Sequence, residues 1–169
     1  MKTTVLTLVL IMSSVFGYSQ NTNQHYIKGV TNFENKKYND AISEFTMDIS
    51  ANPKFKEALF KRGICYIILR DFDKGIKDLS EVIKIDPSNV NAYYNRGLAY
   101  KEINLKNKAI SDFTKAIELF PTHKLAYFNK AVVELSQDNF DPACEDLSKA
   151  ADLGMEDAAE MMQYSCQGR

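Results

Sequence analysis

Apolar side chains recur at helical spacing along most of the chain, and the segments that carry them come in pairs. This spacing, together with the stop signals between segments, predicts four pairs of helices. The first helix of each pair covers about 22–35, 56–69, 90–103 and 124–137, and the second about 39–51, 73–85, 107–119 and 141–153. A last helix over about 156–166 carries further apolar residues. The pattern therefore predicts an all-α fold.

The helix pairs repeat with a period of 34 residues, and several residue types keep this period independently. A small residue recurs in the first helices, at Gly29, Gly63, Gly97 and Ala131. Another recurs in the second helices, at Ala41, Gly75, Ala109 and Ala143, and is followed by Phe45, Leu79, Phe113 and Leu147. Proline recurs where a pair ends, at Pro53, Pro87 and Pro121. Such agreement indicates internal repeats.

This pattern resembles the tetratricopeptide repeat (TPR) family. The third copy matches best, through Tyr93, Gly97, Tyr100, Ala109, Phe113, Ala116 and Pro121. The resemblance covers four copies, 22–55, 56–89, 90–123 and 124–157, and implies a solenoid of helix-turn-helix repeats closed by a C-terminal capping helix at 156–166. The departures are modest: His25 and Leu59 replace a bulky aromatic residue, and Gly154 stands where the fourth copy lacks its proline.

Gly97 lies within a helix rich in bulky residues, where glycine costs about 1 kcal/mol relative to alanine. In TPR repeats the small residue of the first helix faces the small residue of the second. We therefore expect Gly97 to lie against Ala109, and Gly63 against Gly75, because two helices approach closely only where side chains are missing.

The first helices are apolar around more than one face, which a helix covered on one side does not need. Either the additional residues pack between neighbouring repeats, or they line the concave side of the solenoid, where TPR proteins bind peptides. The predicted groove residues are Tyr26, Phe60, Ile64, Tyr94, Leu98, Phe128 and Val132. Of the residues with which some TPR proteins clamp a carboxylate, only Asn95 has a counterpart here.

A basic residue precedes each small residue of the first helices, and an acidic residue recurs in the second helices. The basic residues are Lys28, Arg62, Arg96 and Lys130, and the acidic ones Glu44, Asp78, Asp112 and Asp146. The two rows are interpreted as ion pairs between adjacent helices rather than as a charged binding surface.

The N-terminal residues have the layout of a secretory signal peptide. Lys2 precedes an apolar run from Val5 to Phe16, and Gly17 and Ser19 place small side chains before a cleavage site ahead of Gln20. The alternative, an uncleaved membrane anchor, requires more residues to cross roughly 30 Å of hydrocarbon. The sequence therefore predicts a signal peptide at 1–19, a TPR domain at 20–169, and a periplasmic or secreted location.

Cys144 lies on the last second helix and Cys166 on the capping helix, so a disulfide between them would tie the cap to the fourth repeat. Such a bond suits an exported protein. Cys65 is expected to be a buried apolar residue.

Charge and chemistry narrow the range of functions. The chain has 21 Lys and Arg and 22 Asp and Glu, without the concentrated basic patch of a nucleic-acid-binding protein. His25 and His123 are far apart in sequence, and neither belongs to a metal-ligand or catalytic motif. We therefore predict a non-enzymatic protein without cofactor or metal, whose groove binds a peptide or helical segment of a partner protein. The alternative is a structural scaffold or self-assembling subunit of an envelope complex.

Overall fold

The computed structural model describes residues 24–166, which form nine helices and no strand. Helix α1 covers residues 24–34. The others are α2 (Tyr38–Ala51), α3 (Lys56–Ile68), α4 (Phe72–Ile85), α5 (Val90–Glu102), α6 (Lys106–Leu119), α7 (Lys124–Leu135), α8 (Phe140–Asp152) and α9 (Glu156–Cys166). The predicted all-α fold is confirmed, and the predicted helices agree with the observed ones within a few residues. The predicted signal peptide lies outside the described residues.

Each helix from α2 onwards packs against the next one in the chain, and the first helices α3, α5 and α7 also contact one another in turn. Helices α1 and α2 share a core in which Tyr26, Val30 and Phe33 pack around the buried Ala41 and Phe45. The described part of the chain is therefore a solenoid of four helix pairs, closed by α9 packed on α8.

The close approach of paired helices occurs at the predicted glycines. A Cβ atom added to Gly75 would lie 3.0 Å from the carbonyl oxygen of Gly63, so these two glycines face each other as expected. The expectation for Gly97 is only partly right, because the nearest atom to a Cβ added there is Cε1 of Phe113, at 2.8 Å. The Phe113 ring thus fills the space above Gly97, while Ala109 is buried in the same cluster as Phe113.

The turn inside each repeat places a non-glycine residue in the left-handed conformation. Lys36, Arg70, Asn104 and Asp138 have φ between 59° and 62° and are 34 residues apart. In the first turn, the N–H of Lys37 donates to the carbonyl of Asn32, a bond that caps the end of α1. Gly154, which follows the end of α8, is also left-handed, with a φ of 79°.

Helix α8 begins earlier than the Asp141-Pro142 pair suggests. The helix begins at Phe140, the residue before it is Asn139, and Asp141 lies inside the first turn. Proline is compatible with this position because the first N–H groups of a helix have no partner within it.

Candidate functional site

The first helices of the first three repeats enclose an open pocket of about 340 Å³. Tyr26 of α1 and Phe60 of α3 supply its apolar surface. Its polar lining includes Lys56, Glu57, Lys61 and Asn91. We call this pocket and the continuing row of first-helix side chains the first-helix groove.

Tyr26 is held in place by two rings of the first repeat and the following turn. Its ring centroid lies 5.9 Å from that of Phe45 and 5.1 Å from that of Phe55. Burial raises the pKa of the Tyr26 phenol, and the carboxylates of Glu57 and Asp48 raise it further. Tyr26 therefore presents a fixed, neutral phenol to the pocket.

Tyr94, the counterpart of Tyr26 in the third repeat, belongs largely to the packing between repeats. Its ring lies 5.9 Å from Phe113 and 4.7 Å from His123. Its hydroxyl accepts a hydrogen bond of 3.2 Å from the side-chain amide of Asn129, in the next first helix. Burial raises the pKa of this phenol as well.

The other predicted groove residues are half-buried. Phe60, Leu98 and Phe128 pack against buried clusters of the core. Ile64 and Val132 lie at the same position of their helices as Leu98 but belong to none of the described core clusters. That these residues bind a partner stays a prediction.

Asparagine side chains line the first helices further along. The amide of Asn95 donates to the backbone carbonyl of Asn91 at 2.8 Å. Asn129 donates to Leu125 and accepts a bond of 2.8 Å from the Lys101 ammonium. These bonds fix both amides on the helix surface.

From the second repeat onwards, the charged rows form ion pairs between the helices, with side chains that are largely buried. In the second repeat, Arg62 donates two hydrogen bonds of 2.7 and 2.8 Å to the buried Asp78. Its third bond, 3.0 Å to Thr46 Oγ1, reaches the preceding repeat. The bond to Asp78 raises the pKa of the Arg62 guanidinium.

The third repeat copies this arrangement with Arg96. It donates two bonds to Asp112 and one, of 2.9 Å, to Ser80 of the second repeat. Lys130 donates to Asp146 at 2.7 Å in the fourth repeat. Three of the four predicted pairs are therefore present.

The first repeat departs from this row. Glu44 binds Nδ1 of His25 at 2.5 Å, and Lys28 is exposed. The prediction of a Lys28–Glu44 pair is wrong because His25 lies one turn before Lys28 and already occupies the carboxylate.

A second open pocket, of about 390 Å³, lies at the turn between the third and fourth repeats. It is lined by Val90, Phe120, His123 and Leu125 among others, and Phe120 is 50% exposed. The 34-residue pattern does not predict this pocket. Its signal is Phe120 itself, which stands where the preceding repeats have Asn52 and Asp86.

The cysteines are arranged as the sequence suggests. A disulfide joins Cys144 of α8 to Cys166 of α9. Cys65 is free and buried, and burial raises the pKa of its thiol to about 11. This thiol is protonated at neutral pH and therefore unreactive.

Within residues 24–166, His, Cys, Asp and Glu side chains form no group of three or more that could hold a metal ion. Over the same residues, no helix combines the length and hydropathy needed to cross a bilayer.

The stacked helix pairs and their 34-residue period define a helical-repeat protein. The family model described as tetratricopeptide repeat matches residues 90–123, and a second one, described as TPR repeat, matches residues 66–104. The chain belongs to the tetratricopeptide repeat family. No curated protein matches its sequence.

Several solved structures share the fold. A crystal structure of MamA protein is 24% identical, covers 89% of this chain and 83% of its own, and has a TM-score of 0.84. YrrB, described as a TPR protein with an unusual peptide-binding site, is 18% identical, with 91% and 87% covered and a TM-score of 0.78. The first TPR of Spaghetti (RPAP3), bound to the HSP90 peptide SRMEEVD, is 24% identical, with 71% and 95% covered and a TM-score of 0.68.

Proposed function

We propose that this chain is an exported protein-interaction module whose first-helix groove binds a peptide or helical segment of a partner protein. The main support is the pocket at Tyr26 and Phe60, an open space of about 340 Å³ lined by both apolar and polar side chains. Pockets of this kind take an apolar side chain of a ligand, while the few polar groups in their lining fix its orientation.

The groove is suited to an apolar anchor because its aromatic side chains are already held by the core. Tyr26 is packed between Phe45 and Phe55, so little conformational entropy is lost when a ligand contacts it. Burying apolar surface of the ligand contributes about 25 cal/mol per Å². Lys61 and Asn91 belong to the lining of the pocket and offer polar groups that can bond to the ligand's backbone.

Proteins of similar fold support this proposal. The first TPR of Spaghetti is seen with a bound peptide, and YrrB is described as having a peptide-binding site. Both share the repeat architecture that creates a groove along the first helices.

The proposed location is the periplasm or the exterior. The support is the signal-peptide pattern at 1–19 and the disulfide between Cys144 and Cys166, which is the kind of bond that persists in oxidising compartments.

The experiment uses the protein processed before Gln20 as bait for envelope and secreted proteins, with mass spectrometry of what is retained. The test variant combines Phe60→Ala with Ile64→Ser, two half-buried groove residues. Tyr94 is unsuitable because it bonds to Asn129 and packs between repeats. We expect the retained partner to fall by roughly tenfold or more, the effect of losing an interface hot spot.

The matched control is Met47→Ser, which changes an apolar residue on α2 that is 59% exposed and lies outside the groove pocket. Partner retention should be unchanged in this variant. Equal retention by the groove variant and the wild type, with both folded by circular dichroism, would contradict the proposal. Light scattering of the same samples distinguishes a foreign partner from self-assembly.

A further inference from the structure

Asp48 is a carboxylate in a core position. It is 1% exposed, and neither of its carboxylate oxygens has a hydrogen-bond partner in the described part of the chain. The same position in the later repeats holds Val82, Ala116 and Ala150, which are all buried. An unpaired carboxylate in such a place is costly when ionised.

Near Asp48, one group can carry a positive charge, the ring of His25, whereas two groups are acidic, Asp48 itself and Glu44. His25 of α1 occupies the position of Leu59, which packs in one cluster with Val82 in the second repeat. The ring of His25 is bonded to Glu44, one turn before Asp48 on α2. The other titratable group facing Asp48 is the phenol of Tyr26 on α1.

A similar imbalance occurs in the fourth repeat. Glu134 of α7 is 5% exposed and stands where the second and third repeats have Tyr66 and Tyr100. Lys130 is shared between Asp146, at 2.7 Å, and Glu134, at 3.3 Å. The second carboxylate oxygen of Glu134 has no partner within residues 24–166. The charged groups that face Glu134 are Lys130 on its own helix and Asp146 on α8.

The two central repeats have no such imbalance. Arg62 and Arg96 each bind both oxygens of one aspartate. The guanidinium of Arg96 also lies 5.7 Å from the ring centre of Tyr100, in the position that Glu134 takes in the fourth repeat.

We propose that protonation of two buried carboxylates controls the stability of the two ends of the solenoid. Proton uptake by Asp48 stabilises the first repeat, and proton uptake by Glu134 stabilises the fourth. The stability of the central repeats does not respond. The ends therefore open more readily at neutral pH than at mildly acidic pH.

The direction follows from the change in environment on folding. Burial raises the pKa of both carboxyl groups, helped by Glu44 at Asp48 and by Asp146 at Glu134, while His25 and Lys130 act in the opposite direction. A carboxyl group with a raised pKa binds its proton more tightly when folded. Its contribution to stability is therefore greatest below the unfolded-state pKa and is lost as the pH rises through the folded-state pKa.

Two other titratable groups, Asp86 and His123, affect the choice of pH for a test of this proposal. The hydrogen bond from Lys56 and further bonds from Ser88 hold the pKa of Asp86 at about 2, so Asp86 stays ionised throughout a mildly acidic titration. His123 accepts a bond from the Ala126 N–H at the start of α7, and burial lowers its pKa, so acid weakens this cap. Comparing variants that all retain His123 cancels that contribution.

The test is hydrogen exchange of the disulfide-bonded protein at about pH 7.5 and about pH 5.5, corrected for the intrinsic exchange rates. In the wild type we expect protection in α7–α8 to rise by roughly fourfold relative to α3–α6 on acidification, because the pKa of Glu134 is raised to about 6. Protection in α1–α2 should rise in the same direction, because burial raises the pKa of Asp48. Asp48→Val should abolish the rise in α1–α2 alone, and Glu134→Gln the rise in α7–α8 alone.

Asp48→Asn is the second variant in case valine disturbs the fold, and Asp40→Asn is the matched control, because Asp40 is an exposed acid on the same helix. The control should respond as the wild type does. An equal response of all repeats, or an unchanged response in both Asp48 variants, would overturn the proposal.

Discussion

Gly97 and Phe113 make a closer contact than any alanine at position 97 would allow. We expect Gly97→Ala to lower the free energy of unfolding by about 1–2 kcal/mol, because overpacking outweighs the gain of about 1 kcal/mol in helix propensity. The new Cβ would lie 2.8 Å from a ring atom of the fully buried Phe113. Urea denaturation measures the change.

Gly63→Ala is the matched comparison, because its nearest neighbours, Asp78 Cβ and Leu79 Cγ, would lie 3.3 Å from the new atom. Its cost should be clearly smaller, within about 1 kcal/mol of the wild type. If Gly97→Ala were the more stable of the two variants, the role assigned to the Phe113 ring would be wrong.

Lys36 is strained by its left-handed conformation, with a φ of 59°. We expect Lys36→Gly to stabilise the protein by about 0.5–1 kcal/mol, because glycine adopts this conformation without steric cost. Thermal and urea unfolding are suitable measurements. The neighbouring exposed Lys37, with a φ of −86°, gives the control: Lys37→Gly should bring no gain. A stability loss in Lys36→Gly would refute the explanation.

For single residues, the sequence identifies the small side chains at the helix contacts, but it does not identify every group that fills the space beside them. Glycine at position 97 predicts a close contact, yet both Ala109 and Phe113 are candidates for it until the rotation of the two helices is known. The left-handed turns are also hidden, because lysine and arginine at 36 and 70 carry no turn signal. The burial of Asp48 is equally hidden, since a carboxylate is almost never fully buried without a partner, and the sequence shows no basic residue paired with Asp48.

At the scale of elements, apolar periodicity is enough to locate the helices, since each helix buries one face against its partner. The start of α8 is less predictable. The predicted helix starts at residue 141, whereas α8 begins at Phe140, because proline is accepted anywhere in the first turn and does not fix the first residue.

The capping helix α9 depends on its disulfide. Ala158 is its one fully buried residue among those described, and Met161 and Met162 pack partly buried against the same cluster. We expect reduction of the Cys144–Cys166 bond to lower the free energy of unfolding by about 3 kcal/mol, on the chain-entropy account for a closed loop of this length. Urea denaturation with and without a reductant measures this loss.

The double variant Cys144→Ser, Cys166→Ser provides the control for that experiment. It should match the reduced wild type and be indifferent to reductant, since Cys65 is free and buried. An oxidised protein no more stable than this variant would show that the bond contributes nothing to holding α9.

At the scale of the whole molecule, each repeat contacts only its neighbours, so the 34-residue period dictates the solenoid once it is recognised. The groove is harder to predict. Surplus apolar residues on the first helices can pack between repeats or face a ligand. In the structure Tyr94 packs against His123, whereas Tyr26 lines an open pocket, and the sequence does not distinguish these two roles. The separation depends on the turns, where Phe55 and His123 occupy equivalent positions with different shapes.

The groove is tested most directly by placing a photo-cross-linking amino acid at position 64, in the first-helix groove, and separately at position 47, on the exposed side of α2. Both proteins are irradiated in the producing cells, and adducts are identified by mass spectrometry. The prediction is a partner-protein adduct from position 64, in the first-helix groove, and none from position 47. Adducts from position 47 alone, or the same adducts from both positions, would contradict it.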